Sequence, residues 1–246
     1  MTTVAVLADP PAERGVLPAL TDGCLSEAEA GALYTAMLSD VCRAVEASGA
    51  ELLVNYRPAD QVGADIDPEA ALRDTLDEVL ESPDAVRYEV QVGSTRSARI
   101  GNTVTHLLDG EGVKTAAAVE PSAGLLTRQG IDSAAMKLRS AGVVLGPATD
   151  GRVYYAGFAE PVDFEDAYAT PTVETLTDRA RDTDLGVDFL PTAPVVETPA
   201  DLRTVVPLLR ARHRADRVVP PRTTSLIMEL GLHVDAGPDG PELVRA

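Results

Sequence analysis

Residues 3–8 form a short apolar run, Thr-Val-Ala-Val-Leu-Ala, with the length and β-branched content of a buried strand. A loop containing Pro10 and Pro11 follows. Ala30, Leu33, Tyr34, Met37, Leu38, Val41, Cys42 and Val45 then recur at helical spacing, and Ser26 with Glu29 makes a capping box at the helix start. Gly49 stops that helix, and residues 51–56 predict a second strand. The pattern continues as a helix over 68–80, a strand over 87–92, a helix over 97–108, a buried-strand run over 113–119 and a helix over 131–138. Strands at 143–145 and 153–158 flank Gly146-Pro-Ala-Thr-Asp-Gly151. Thr170 and Pro171 open a helix to about residue 180, and residues 187–190 predict a strand. Thr198, Pro199 and Asp201 open a further helix to about residue 211, and residues 232–244 read as a hairpin.

Strands alternating with helices predict an α/β fold: three α/β/α layers around a mostly parallel central sheet, Rossmann-like in plan. Residues 113–119 are expected at its centre, beside the strands at 3–8 and 143–145. No repeat or low-complexity tract divides the chain. Residues 1–217 read as one domain and 218–246 as a C-terminal appendage.

Charge narrows the partners. The 246 residues carry 39 acidic and 21 basic side chains, a net charge of −18. Such a field repels nucleic acid and anionic membrane surfaces. No apolar run approaches the ~20 residues of a membrane span. The opening residues lack the basic region of a signal peptide, so a cytoplasmic protein is expected. Only Lys114 and Lys137 are lysines, and there is no tryptophan. High acid with little lysine suits a halophilic cytosol, where molar salt shortens the Debye length to about 3 Å. An ordinary acidic protein is the alternative. Cys24 and Cys42 have no metal or redox spacing, and His106, His213 and His233 stand apart in sequence.

The chain has no P-loop, no Gly-x-Gly-x-x-Gly after the first strand, no Gly-x-Ser-x-Gly and no His-Glu-x-x-His. Its candidate chemistry lies in the loops that follow strands, where open α/β sheets take their ligands. Four stretches carry a resemblance. Pro10, Pro11, Arg14 and Gly15 follow the first strand, and Ala32 to Tyr34 with Asp40 lie on the next helix. Gly146-Pro-Ala-Thr-Asp-Gly-Arg-Val-Tyr154 is the most specific piece. Thr170, Val173 and Thr175 come next, then Glu197-Thr-Pro-Ala-Asp-Leu202. This set resembles the nucleotide-diphospho-sugar transferase superfamily, with the type A glycosyltransferase fold. Within it, the chain is most similar to the selenodomain-associated and guanylyltransferase-like branch.

The resemblance implies a nucleotide or nucleotide sugar as ligand, with Mg or Mn as cofactor. It implies Arg14, Gly15, Gly146 and Gly151 at the nucleotide, Glu120 at the metal and Asp150 as the catalytic residue, holding the acceptor or the metal from the opposite wall. Arg99 joins the nucleotide set because it opens a helix whose N-terminus favours phosphate. The departures matter as well. The family's cation-rich first loop reads Arg14-Gly-Val-Leu-Pro18 here, and its metal-binding Asp-x-Asp reads Val119-Glu-Pro-Ser122. Its late Asp-Val-Asp-Thr-Pro reads Val195-Val-Glu-Thr-Pro199. Metal and cations supply most of the stabilisation in such transfers, so weak or lost catalysis is expected.

Plainer readings stand beside these. Asp150-Gly151 is also a strong turn signal, and Glu120 is also a surface carboxylate in an acidic chain. Arg96 and Arg99 read equally as solvated arginines. Glu197 to Asp201 reads first as a helix cap, and Arg210, Arg212, His213, Arg214, Arg217 and Arg222 as cations near a helix C-terminus. A non-catalytic binding or regulatory protein is the alternative function. Homo-oligomerisation is left open.

Overall fold

The computed structural model describes residues 1–11, 15–22, 24–62, 66–238 and 240–246. Arg14 lies outside them. The first strand, β1 (Thr2–Ala8), is followed by α1 (Pro18–Thr21) and the long α2 (Glu27–Glu46), whose Ser26–Glu29 capping box is formed as expected. Next come β2 (Glu51–Tyr56), α3 (Ala59–Val62), α4 (Pro68–Asp77), β3 (Arg87–Val90) and α5 (Arg96–Thr105). The centre of the chain gives β4 (Thr115–Val119), α6 (Arg128–Lys137), β5 (Val143–Pro147) and β6 (Val153–Phe158). Then follow α7 (Thr172–Asp182), β7 (Val187–Phe189) and α8 (Pro199–Arg214). The tail is α9 (Pro221–Glu229) and a hairpin of β8 (Leu232–Gly237) and β9 (Gly240–Arg245).

Seven of these strands form one sheet in the order β3-β2-β1-β4-β6-β5-β7. Every residue of β1 is buried, as a strand covered on both faces must be. Val4, Val6 and Ala8 pack toward α2, α4 and α6, through Leu38, Val41, Leu72, Leu76 and Ile131. Ala5 and Leu7 point to the other face, under Ile100 and Val104 of α5 and Leu176 of α7. The period-2 alternation of β1 thus separates two helical layers, giving the three-layer α/β/α fold.

One strand departs from the expected arrangement. β6 enters between β4 and β5 and runs antiparallel to both, so β5 is one place removed from the central strand. The link from Pro147 to Val153 is far shorter than a parallel crossover requires. All other neighbouring pairs in this sheet are parallel, and β5 regains the direction of β4.

The tail shares a core with the rest of the chain. Ile227 of α9 and Leu232 of β8 are fully buried with Leu20, Leu33, Met37 and Leu209. The α9 N-terminus has no side-chain cap of its own. Instead the buried Asp40 of α2 accepts from the backbone N–H groups of Arg222 at 3.1 Å and Thr223 at 2.8 Å. Asp40→Ala leaves both donors without that acceptor and is expected to cost about 1–3 kcal/mol. Thermal melts should show it, with Asp40→Asn recovering part of the loss because its amide oxygen still accepts.

Candidate functional site

The residue that follows each of β1, β2 and β4 is charged: Asp9, Arg57 and Glu120. Gln91 follows β3. Because these strands are parallel, all four residues reach the same carboxyl edge of the sheet. There they line a cleft of about 530 Å³ with Arg96 and Arg99 of α5, Ser122, and Glu197 with Thr198 before α8. The loop before α1 and the first residue of that helix add an apolar wall from Val16, Leu17 and Pro18. The volume is in the ordinary range for small-molecule sites.

α5 is fixed by polar contacts along its length. Thr95 caps it, its Oγ1 accepting from the Ala98 N–H at 3.1 Å. Ser97 accepts from the Tyr168 N–H at 3.0 Å, and the Thr103 hydroxyl donates to Asn55 of β2 at 2.9 Å. The buried Gln91 amide donates to the Asn55 carbonyl at 2.7 Å, tying β2 to the chain that leads into α5. The helix begins with Arg96 and Arg99 and has no acid in its first turn, so its N-terminus adds positive potential to the cleft.

Among the described residues, the carboxylates on the cleft are all engaged. Arg57 bridges both oxygens of Asp9, and Arg96 bridges both oxygens of Glu120. Glu197 accepts from Arg152 at 3.0 Å and from the Ser122 hydroxyl at 3.0 Å. Burial works against the Arg96 charge, but Glu120 outweighs it and holds the guanidinium above its ordinary value. Arg96 also lies over the Tyr168 ring, 5.3 Å from its centroid. The Tyr168 hydroxyl is buried without a hydrogen-bond partner among the described residues, and the ring lines a small cavity with Arg96 and Glu120.

Arg99 differs from its neighbours. Among the described residues its guanidinium has no carboxylate partner, and its one hydrogen bond goes to the Ser94 carbonyl at 3.5 Å. Burial lowers its pKa, and Arg57 lowers it further. The Asp9 and Glu120 charges oppose this only in part, and an anion placed here would favour the charged guanidinium further.

The sequence-derived candidates separate into two groups. Gly15, Arg99 and Glu120 share the cleft, and Arg14 lies outside the described residues. Asp150, Gly146 and Gly151 do not line it. Asp150 sits at φ 58° and Gly151 at φ 69° on a turn between β5 and β6, at the same edge of the sheet. The Asp150 side chain is 84% exposed and lies 3.5 Å from Arg152, which links it indirectly to Glu197. Gly146 packs under Tyr154, where a Cβ would come within 2.6 Å of the ring. Thr198 and Asp201 form the capping box of α8, and Arg212, His213 and Arg214 occupy its last turn. Asp9, Arg57 and Gln91 were not among the candidates, although each immediately follows a strand.

The donor set does not suit a divalent ion as it stands. Glu120, the carboxylate at the end of the central strand, already has both oxygens on a guanidinium. The group of His, Cys, Asp and Glu side chains close enough to share an ion, among the described residues, is Glu89, His106 and Glu111. It is not part of the cleft lining, and Arg87 already bonds to both of its carboxylates.

Fold and site together define an open-sheet α/β protein with a charged cleft at the carboxyl ends of its strands. The particular fold is that of the nucleotide-diphospho-sugar transferases. A candidate nucleotide-diphospho-sugar transferase from Desulfovibrio desulfuricans G20 matches with a TM-score of 0.75 at 18% identity, over 93% of this chain and 94% of that one. CMP:2-keto-3-deoxy-manno-octonic acid synthetase, solved with CTP, matches with a TM-score of 0.50 at 10% identity, over 86% of this chain and 99% of that one. A cytidylyltransferase from Leptospira borgpetersenii matches with a TM-score of 0.50 at 10% identity, over 93% and 94%. At these identities the shared property is the fold. No protein-family profile and no curated protein matches the sequence. Among the described residues no helix is long and apolar enough to cross a membrane.

Proposed function

We propose that the cleft binds a nucleotide or nucleotide sugar, and that the protein is a nucleotidyl- or glycosyltransferase of weak turnover. The observation that carries this reading is Arg99, free of any carboxylate among the described residues, in the first turn of α5 on a ligand-sized cleft. A helix N-terminus with an adjacent guanidinium suits a phosphate. Neighbours of the same fold include a synthetase solved with CTP and a cytidylyltransferase, which supports a nucleotidyl group as ligand. Arg14 and Gly15 belong to the first loop and are proposed to meet the phosphates. Asp150, with Gly146 and Gly151 shaping its turn, is proposed for the acceptor side.

Weak turnover follows from the ion pairs. Charge developing on leaving phosphates calls for carboxylate-held metal and spare cations, and among the described residues the carboxylates on the cleft are held by arginines. The same pairing favours the second reading, a non-catalytic nucleotide-binding or regulatory protein. Titration calorimetry with CTP, GTP and nucleotide sugars, followed by a mass-spectrometric product search, separates the outcomes. Binding with little or no product is expected. Absence of binding by all of them removes the nucleotide reading, and rapid turnover removes the weak-catalysis part. The net charge of −18 makes molar potassium chloride a necessary second condition for these titrations.

A further inference from the structure

We infer that the cleft holds nucleotide phosphates without a divalent ion, the charge being met by the guanidiniums of Arg96 and Arg99. This inference rests on the nucleotide reading above and specifies how the ligand's charge is balanced. Among the described residues three carboxylates line the cleft: Asp9, Glu120 and Glu197. Asp9 is clasped by Arg57, Glu120 by Arg96, and Glu197 is shared by Arg152 and Ser122. An ion entering at Glu120 must first displace a two-point guanidinium contact and leave Arg96 unpaired over the Tyr168 ring. Separating one partner from a partly buried pair is costly, because the remaining charge stays poorly solvated. A phosphate meets the opposite situation. It can accept from Arg99 without breaking any ion pair among the described residues, and Arg96 retains donors beyond the two that contact Glu120.

The Tyr168 hydroxyl is a separate observation. It is buried with no partner among the described residues, and Tyr168 lines the small cavity that Arg96 and Glu120 also line. Tyr168 does not line the ligand-sized cleft, and the cavity it shares with Arg96 and Glu120 is about 10 Å³, room for a water and not for a phosphate, so the phosphate contacts assigned here are those of Arg96 and Arg99.

The test is calorimetric titration of CTP and GTP into the full chain, once in excess EDTA and once in excess magnesium. Dissociation constants agreeing within about threefold are expected. Binding weakened about tenfold or more by EDTA overturns the inference while leaving the nucleotide reading standing. No binding in either condition overturns both. Arg96→Ala supplies an independent arm by freeing Glu120. In EDTA this variant should bind nucleotide about tenfold or more weakly, and magnesium should restore part of the loss. Unchanged affinity in EDTA would remove Arg96 from the assignment. Manganese alone, followed by paramagnetic broadening, covers the case in which Arg96→Ala fails to fold. The unaltered chain should show no manganese site that Glu120→Gln abolishes, and finding one overturns the inference.

Discussion

Arg152→Ala is expected to destabilise the protein by about 3–5 kcal/mol, the usual cost of removing one partner from a buried ion pair. Arg152 is 14% exposed and Asp201 only 4%. Its guanidinium donates to Asp201 at 2.6 and 2.9 Å, to Glu197 at 3.0 Å and to Thr149 at 2.7 Å. Without it, Asp201 retains the backbone N–H groups of Glu197 and Thr198 but loses its counter-charge. Burial acts to raise the Asp201 carboxyl, yet Arg152 and these hydrogen bonds hold it below its ordinary value of 3.8. A carboxyl whose folded pKa is depressed stabilises the fold above its unfolded pKa, and the contribution is lost as pH falls through the folded value. The gap between the parent protein and Arg152→Ala should therefore be widest near neutral pH. It should narrow on acidification, as Asp201 takes up a proton first in the folded variant, which lacks the guanidinium, and at lower pH in the folded parent; the unfolded chain is common to both and cancels. Denaturant melts across that range provide the measurement. A gap independent of pH would mean that packing, not charge, makes Arg152 important.

That pair also shows where sequence reading stops. The Thr198–Asp201 capping box is a local four-residue signal and was legible, as was the Ser26–Glu29 box. Arg152 is 49 residues from Asp201, and no periodicity connects them. α9 was unforeseen for the same reason. Its N-terminus is capped by Asp40 across more than 180 residues, and Pro221, a good first helical residue, is preceded by Pro220 and not by a capping side chain. The strands and long helices were legible because buried runs and 3.6-residue patterns are local. The order β4-β6-β5 was not, since pairing is decided by the short link between β5 and β6 and by packing.

The site follows the same division. Glu120 and Arg99 could be picked out as a strand end and a helix start. Asp9, Arg57 and Gln91 obey the same positional rule, one residue beyond their strands, and applying it to every strand would have found them. What remained hidden was pairing: Glu120 with Arg96 lies 24 residues apart, and Asp9 with Arg57 lies 48 apart. The first of these pairs sets the one expected metal carboxylate, Glu120, against a guanidinium, and the second does the same for Asp9. They therefore bear directly on chemistry, while the loop residues Asp150 and Gly151 matched the family pattern and fold as an exposed left-handed turn.

Arg99→Ala is expected to weaken nucleotide binding roughly 10- to 100-fold, since a charge-assisted hydrogen bond to phosphate contributes about 1.5–3 kcal/mol. The fold should barely register the change. In the protein as it stands, the Arg99 guanidinium makes only the 3.5 Å hydrogen bond to Ser94, and the charges of Arg57 and Arg96 oppose its own while Asp9 and Glu120 favour it without bonding to it. Melting temperature should therefore stay near that of the parent chain while affinity falls, the reverse of the pattern expected for Arg152→Ala. Arg212→Ala, exposed in the last turn of α8, serves as a charge-matched control and should leave affinity unchanged. The salt dependence adds a second readout. Removing an arginine that pairs with phosphate should flatten the decline of affinity with added potassium chloride, because less charge remains to be screened. If Arg99→Ala binds CTP and GTP as tightly as the parent chain, the phosphates do not lie at the α5 N-terminus, and the cleft must be occupied in another orientation.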